Sequence, residues 1–264
     1  VKFAPFYEPF PLPLNYIKVY RPLDCIALRT VRYSDRNSIL TAYTRQAGRL
    51  SFLVPAGTGR AAARLRALLM PMGRFECVAD IRPGRDIHSI RDVKAVVLPP
   101  VADPLRSTIA LFVADILSSL LKEPMADPLL FDFIDDALVR LGDSRRGHAL
   151  QGTALLNYHV CFLLRLTRFL GIEPDWPTYQ PGSVLDFADG IFRRFPPAHR
   201  NYLPPGESEA ASRLGRMTFR NLGLYRLTRF ERNTILDRIL LYYQTHYPSV
   251  GEPPSLAILR MMAD

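Results

Sequence analysis

With 264 residues, 48% of them hydrophobic, the chain exceeds one average domain and has the apolar content to bury a core, which excludes a disordered or fibrous protein. The longest stretch without an acidic or basic residue, Gly147 to Leu164, contains His148, Gln151, Asn157 and His159 and runs into Arg165 and Arg168, so no transmembrane helix is expected. The beginning of the chain shows prolines and aromatics instead of a basic start and an apolar run, and the protein reads as cytoplasmic. Cys25, Cys77 and Cys161 are odd in number, far apart and free of any CxxC pair, which argues against a disulfide framework or a thiolate zinc site.

The net charge of +9 is unevenly spread. Residues 1–100 hold 16 Lys and Arg against 7 Asp and Glu, whereas residues 101–264 hold 18 of each. A basic module fused to a neutral one suits a protein in which one part neutralises phosphates and the other does something else.

From Val1 to Tyr20, Pro5, Pro9, Pro11 and Pro13 alternate with Phe3, Phe6, Tyr7, Phe10 and Tyr16, a spacing that neither a helix nor a ladder tolerates, so residues 1–20 read as an arm. The pattern then turns to short β-branched and aromatic runs. Strands are expected at Cys25–Tyr33, Ser38–Thr44, Leu50–Val54, Gly73–Ile81 and Ile87–Val97, broken by the turn-rich Ser34–Asn37, Gln46–Gly48 and Pro83–Arg85. A helix-prone segment, Arg60–Leu69, lies between the third and fourth strands. Three strands, a short helix and two more strands match the size and order of a five-stranded OB-type barrel over residues 21–100, with an SH3-like barrel as the competitor.

After Pro99 and Pro100 the period becomes 3.6, and residues 101–264 read as an all-helical domain, which makes the chain α+β. One stripe comprises Ile109, Phe112, Val113, Ile116 and Leu120. A second comprises Leu130, Phe133, Ile134, Ala137, Leu138 and Leu141 and ends at Gly142. A third helix is expected over Leu150–Leu170, with Leu155, His159, Phe162, Leu163, Leu166 and Phe169 inward. Residues 173–205, dense in Pro, Gly and Asp, read as a long irregular connection with at most one helical turn around Val184–Phe192. A capping box from Thr228 to Glu231 opens a further helix with Ile235, Ile239, Tyr242 and Tyr243 inside.

Enzyme signatures are missing: the glycine-rich Ala56–Arg60 lacks a GK[ST] ending, and there is no GxSxG, HExxH or CxxC. No catalytic residue, metal or cofactor is expected. His159 reads as a core histidine, and Asp132, Asp135 and Asp136 as a solvated face with Asp136 paired to Arg140. The basic constellation is the positive signal. Arg29, Arg32 and Arg36 flank the first strand and its turn, Arg45 and Arg49 bracket the next, and Arg60, Arg64 and Arg66 crowd the connection, with Tyr33, Tyr43 and Phe52 between them. Guanidinium groups fork onto phosphates and aromatic faces stack on unpaired bases, which is single-strand chemistry without sequence readout. The competing reading makes the aromatics barrel core and the arginines solvent-facing. On the third helix Tyr158, Cys161, Arg165 and Arg168 fall opposite the core stripe, where Tyr158, Arg165 and Arg168 would meet an acidic peptide or form an ordinary exterior.

The stretches CIALRTVRYSD (Cys25–Asp35) and LTAYTRQAGRL (Leu40–Leu50) resemble the opening of the RecO family of bacterial recombination mediators. The segment FLGIEP from Phe169, the segment YYQTHY from Tyr242 and the segment PSLAIL from Pro254 resemble later parts of the same family, so the resemblance runs from about Asp24 to the C-terminus. Where zinc-bearing relatives have four cysteines, Tyr179–Leu203 has none, which resembles the zinc-free Bacteroidetes-type branch and carries over no metal. The resemblance implies an OB-fold joined to a helical domain, and a non-enzymatic protein at the nucleoid. Such a protein binds single- and double-stranded DNA, anneals complementary strands and works with RecR to help RecA displace single-strand-binding protein, whose acidic tail the helical domain receives. An RNA-binding OB protein or a protein-interaction scaffold are the alternatives.

Overall fold

The computed structural model describes residues 19–82, 84–142 and 149–262, so most of the expected arm lies outside the described residues. Five strands, β1 (Val19–Arg32), β2 (Asn37–Thr44), β3 (Gly48–Pro55), β4 (Arg74–Ile81) and β5 (Ile87–Val97), close into a barrel in the order β1-β2-β3-β5-β4. Helix α1 (Arg60–Leu68) lies between β3 and β4 as expected. The expected strands are all present, and β1 is the one that differs most, starting at Val19 within the stretch read as arm.

The extra length of β1 has a structural role. Its first half pairs with β4 (Val19↔Ile81 to Ile26↔Arg74) and its second half with β2 (Cys25↔Thr44 to Arg32↔Ser38), with a bulge between Ala27 and Arg29 that turns the strand from one neighbour to the other. A short parallel pairing of β3 and β5, Ser51↔Ile87 to Leu53↔Ser89, completes the ring. Inside it, Phe52 and Phe75 are packed among small residues, Cys25, Ala27, Ala42, Cys77 and Ala79, with Leu68 and Leu69 at the end of α1. Large rings alternating with small neighbours fill a narrow barrel without voids.

The helical part comprises α2 (Pro104–Leu120), α3 (Pro128–Gly142), α4 (Gly152–Leu156), α5 (Tyr158–Phe169), α6 (Pro205–Leu214), α7 (Arg229–His246) and α8 (Leu256–Met262). Asp103 caps α2 by accepting from the Arg106 amide, with Pro104 in the first turn. The capping box at α7 is formed as expected, Thr228 and Glu231 satisfying one another's amides. The apolar stripes of α2 and α3 are inward, with Ile109, Phe112, Val113, Ile116, Leu130, Ile134, Ala137, Leu138 and Leu141 buried.

Two expectations are corrected. The third helix is two pieces, because Asn157 interrupts it and donates through Nδ2 to the carbonyls of Leu222 and Tyr225, 3.0 and 2.7 Å away. Residues 173–205 are not an irregular connection with a helical turn at Val184–Phe192. They hold a three-stranded antiparallel sheet, β6 (Val184–Asp186), β7 (Ile191–Arg193) and β8 (Tyr202–Leu203), in the order β7-β6-β8. Gly190, at φ +67, supplies the left-handed residue that closes the β6–β7 turn.

Barrel and helices share one core. Ile26, Leu28, Tyr43 and Met72 of the barrel belong to the apolar cluster built by α2, α3, α5 and α7. Tyr43 stacks on Phe131 at 6.3 Å between centroids, and Gly48 lies so close to the Met125 backbone that a Cβ there would collide with it.

Candidate nucleic-acid interface

The eight barrel arginines singled out from the sequence separate into two groups. Arg32 and Arg36 project from the β1–β2 turn, which the amides of Tyr33 and Ser34 close onto the Asn37 carbonyl. The Ala56 amide donates to the Arg36 carbonyl at 2.8 Å, so this turn lies against the segment that leads from β3 into α1. Arg60 and Arg64 follow on the exposed side of α1, and Arg66 reaches back to the Gly57 carbonyl. Arg29 emerges on β1 just past the bulge. It lines a groove of about 710 Å³ between barrel and helical domain, together with Arg49, Arg66, Ser118 and Ser119. The groove's carboxylate, Asp115, is occupied by the Ser255 hydroxyl at 2.6 Å. Among the described residues Arg32 forms an ion pair with Asp35, while Arg29, Arg36, Arg60, Arg64 and Arg66 form none.

Arg45 and Arg49 are instead engaged by the helical domain. Arg45 pairs with Asp132 of α3, and Arg49 donates to the carbonyls of Ser118 and Leu121 at the end of α2. Both belong to the seam between barrel and helices, along with Arg74, whose guanidinium is 2.7 Å from Asp24, 3.5 Å from Asp135 and over the Phe131 ring. Burial raises Asp24, but hydrogen bonds from Arg74 and Gln46 outweigh it and hold the carboxyl below its ordinary range. Asp132, exposed as expected, nonetheless meets Arg45 across the seam, the half-buried Asp135 approaches Arg74, and Asp136 pairs with Arg140 as expected.

Of the interleaved aromatics, Tyr33 is 66% exposed, while Phe52 fills the barrel and Tyr43 is enclosed in the seam. Burial, with Asp127 nearby, pushes the Tyr43 hydroxyl up to about 12. Sequence spacing did not single out Tyr20, over whose ring the Arg91 guanidinium sits at 4.0 Å, nor Phe195, over which Arg194 sits at 5.4 Å. For Phe195 an adjacent arginine in a turn-rich segment is the available signal, whereas Tyr20 of β1 meets an arginine of β5 and carries none.

On α5 the expected outward stripe is corrected. Tyr158 and Cys161 are fully buried, Tyr158 donating to the Ala137 carbonyl at 2.9 Å, because the α3 and α7 sides of the helix are both covered. Arg165 is partly buried, donating to the Gly215 carbonyl at 2.7 Å with Glu173 at 3.9 Å, and Arg168 alone of the three partner candidates is exposed. His159 is a core residue, and burial, followed by the nearby Arg232 charge, pushes it down to about 3. Between α5, α6, α7 and the small sheet lies an apolar groove of about 460 Å³, with Leu164, Trp176, Leu185 and Ile239 on its walls and Arg213 and Arg238 among its lining. No sequence period marks it. Cys25 and Cys77 face one another inside the barrel with Sγ atoms 3.7 Å apart. Among the described residues no group of three or more His, Cys, Asp or Glu side chains is placed to hold a metal ion, and no helix is long and apolar enough to cross a membrane.

Residues 22–98 match the family described as Recombination protein O N terminal, and residues 101–253 match Recombination protein O C terminal. The chain is 36% identical to the DNA repair protein RecO of Porphyromonas gingivalis over 231 residues, 84% of this chain and 91% of that one. It is 32% identical to the RecO of Phocaeicola vulgatus over 239 residues (89% and 95%) and 31% identical to that of Bacteroides fragilis over 244 residues (90% and 97%). The barrel, the helical domain that follows it and these matches along both parts agree, and the chain belongs to the RecO family of DNA repair proteins.

Proposed function

We propose that this protein is a non-enzymatic recombination mediator whose barrel binds single- and double-stranded DNA and anneals complementary strands. The observation that supports it most is the set Arg29, Arg36, Arg60, Arg64 and Arg66, all exposed and none engaged by a carboxylate among the described residues, unlike Arg45, which Asp132 holds. Arg32 and Tyr33 extend the same surface. Cations without internal partners lose little on meeting a phosphate, and the release of counterions supplies the affinity. Neutralising two backbones at once lowers their mutual repulsion, and Tyr33 offers a ring on which an unpaired base stacks.

The helical domain then serves protein partners. RecR, the RecA pathway and the acidic C-terminal tail of single-strand-binding protein are the partners that family membership suggests, and the protein works in the cytoplasm at the nucleoid. For the acidic tail, Arg168 is the exposed cation of α5, and the groove offers an apolar seat that Tyr158 and Arg165, turned inward, do not, although its Arg213 and Arg238 are paired with Glu209 and Glu207. The test is binding of fluorescent oligonucleotides across a salt series, together with annealing of complementary strands. Affinity should fall steeply with salt, and a flat series would remove the DNA reading. Equal affinity for a matched RNA would move the function to RNA, and binding to neither would leave a scaffold.

A further inference from the structure

The segment between β7 and β8 is neither core nor seam. From Arg193 to Asn201 every residue but Pro197 is exposed, and Phe195 is 71% exposed with the Arg194 guanidinium over its ring. Residues 191–203 contain Arg193, Arg194, His199 and Arg200 and no acidic residue.

The loop is held from below at both ends. The buried Asp186 carboxylate accepts from Arg193 Nε at 2.9 Å and lies 3.3 Å from His199 Nε2. The Phe187 amide donates to the Asn201 carbonyl at 3.0 Å, and Pro196 and Pro197 restrict the backbone between these anchors. Arg193 is used in this fastening, with Asp186 and Asp189. A fastened loop therefore displays an exposed ring with Arg194 over one face, and neither Arg194 nor Arg200 is held by a carboxylate among the described residues.

We propose that the β7–β8 loop is a second contact for single-stranded DNA, in which Phe195 stacks on an unpaired base while Arg194 and Arg200 meet the flanking phosphates. A single ring suits one base. It is too little apolar surface to hold a protein on a membrane, which requires several inserted side chains. Two contacts on one chain would let the barrel hold one strand while the loop presents another, which is the arrangement annealing needs. The proposal rests on the reading of this chain as one that handles unpaired DNA.

The experiment uses the full chain carrying F195W, with oligo(dT) as probe and the wild-type Trp176 emission as background. Stacking should quench the new indole on binding, and the quench should persist at higher oligonucleotide concentration when R36A, R60A and R64A weaken the barrel. In the otherwise unaltered chain, R194A with R200A should lower the salt slope of oligo(dT) binding by about 1.4, at roughly 0.7 for each single-strand phosphate no longer neutralised. F195A should slow annealing by roughly fivefold or more, the lower end for one lost base stack. If oligo(dT) binds by anisotropy while the indole emission stays unchanged, the loop is not a contact and the barrel reading stands. If the wild-type chain binds no oligonucleotide at all, both fall. A quench seen only with vesicles of phosphatidylglycerol and phosphatidylcholine would overturn the proposal in favour of a lipid surface.

Discussion

The arginines of the barrel form two sets drawn from one composition and from similar turns, and they differ in what stands opposite them. Arg45, Arg49 and Arg74 meet Asp132, the carbonyls that end α2, and Asp24 with Asp135. Arg29, Arg36, Arg60 and Arg64 meet solvent. The first set fastens two domains and the second is available to a polyanion. The charge counted on residues 1–100 thus overstates the binding surface, since it includes Arg45 and Arg74, which are answered by Asp132 and Asp135 of the helical part.

The largest effect should come from the most enclosed member of the fastening set. Arg74 has a side chain only 9% exposed, and removing it leaves Asp24 and Asp135 facing a partly buried gap beside Phe131. R74A should cost about 3–5 kcal/mol, the usual range when one partner of a buried pair is lost. For a chain of this size that is a fall in Tm of roughly 10 °C, measured by calorimetry. The oligonucleotide affinity of the folded protein should hold. An unchanged Tm would mean that the seam does not depend on this arginine.

Acid should separate the sets in another way. His159 is buried in the helical core and held down to about 3, whereas an unfolded histidine titrates near 6.5. Between those values the unfolded chain takes up the proton and the folded one does not, so stability is full above about pH 6.5 and is lost as pH falls towards 3. The expected loss is about 2.5 kcal/mol between about pH 6 and pH 4, and H159L should flatten that slope. The surface arginines stay charged throughout, so DNA binding should fail only where circular dichroism shows unfolding.

How far these two sets were legible in sequence depends on the distance over which each is decided. The barrel strands are local: alternation and turn residues mark β2 to β5 within a residue or two. The direction of Arg45 is settled by Asp132, 87 positions away, and the break at Asn157 by the carbonyls of Leu222 and Tyr225, 65 and 68 positions on. A helical period assumes water on one side. Helix α5 has neighbours on nearly all sides, so Tyr158 and Cys161, placed outward by period, are core. Strands β6 to β8 are two or three residues long and show no alternation at all.

The exposed set is tested by R29A, R36A, R60A and R64A together. Oligonucleotide affinity at low salt should weaken roughly tenfold or more, about 1.4 kcal/mol. The salt slope should shrink by about 0.7 for each single-strand phosphate left without its arginine. Folding stability should stay within roughly 0.5 kcal/mol per site of the unaltered protein. Loss of stability without loss of affinity would exchange the roles of the two sets.

The smallest effect concerns Arg45, where the division between the sets is most open to challenge. Its side chain is 39% exposed and that of Asp132 is 52% exposed, so water screens their attraction. A double-mutant cycle with R45A and D132A should return a coupling of about 0.2–1 kcal/mol, as for other exposed pairs. That is too weak to hold the seam by itself, and the shared core of Tyr43 and Phe131 does most of the fastening. Because the pair is weak, a phosphate would compete for Arg45 at little cost, which makes DNA binding the sharper readout. If R45A leaves oligonucleotide affinity and its salt slope unchanged, Arg45 belongs to the seam in solution as well as in the fold. If R45A lowers the slope by as much as R36A does, the pair opens when DNA arrives and the basic surface extends across the seam.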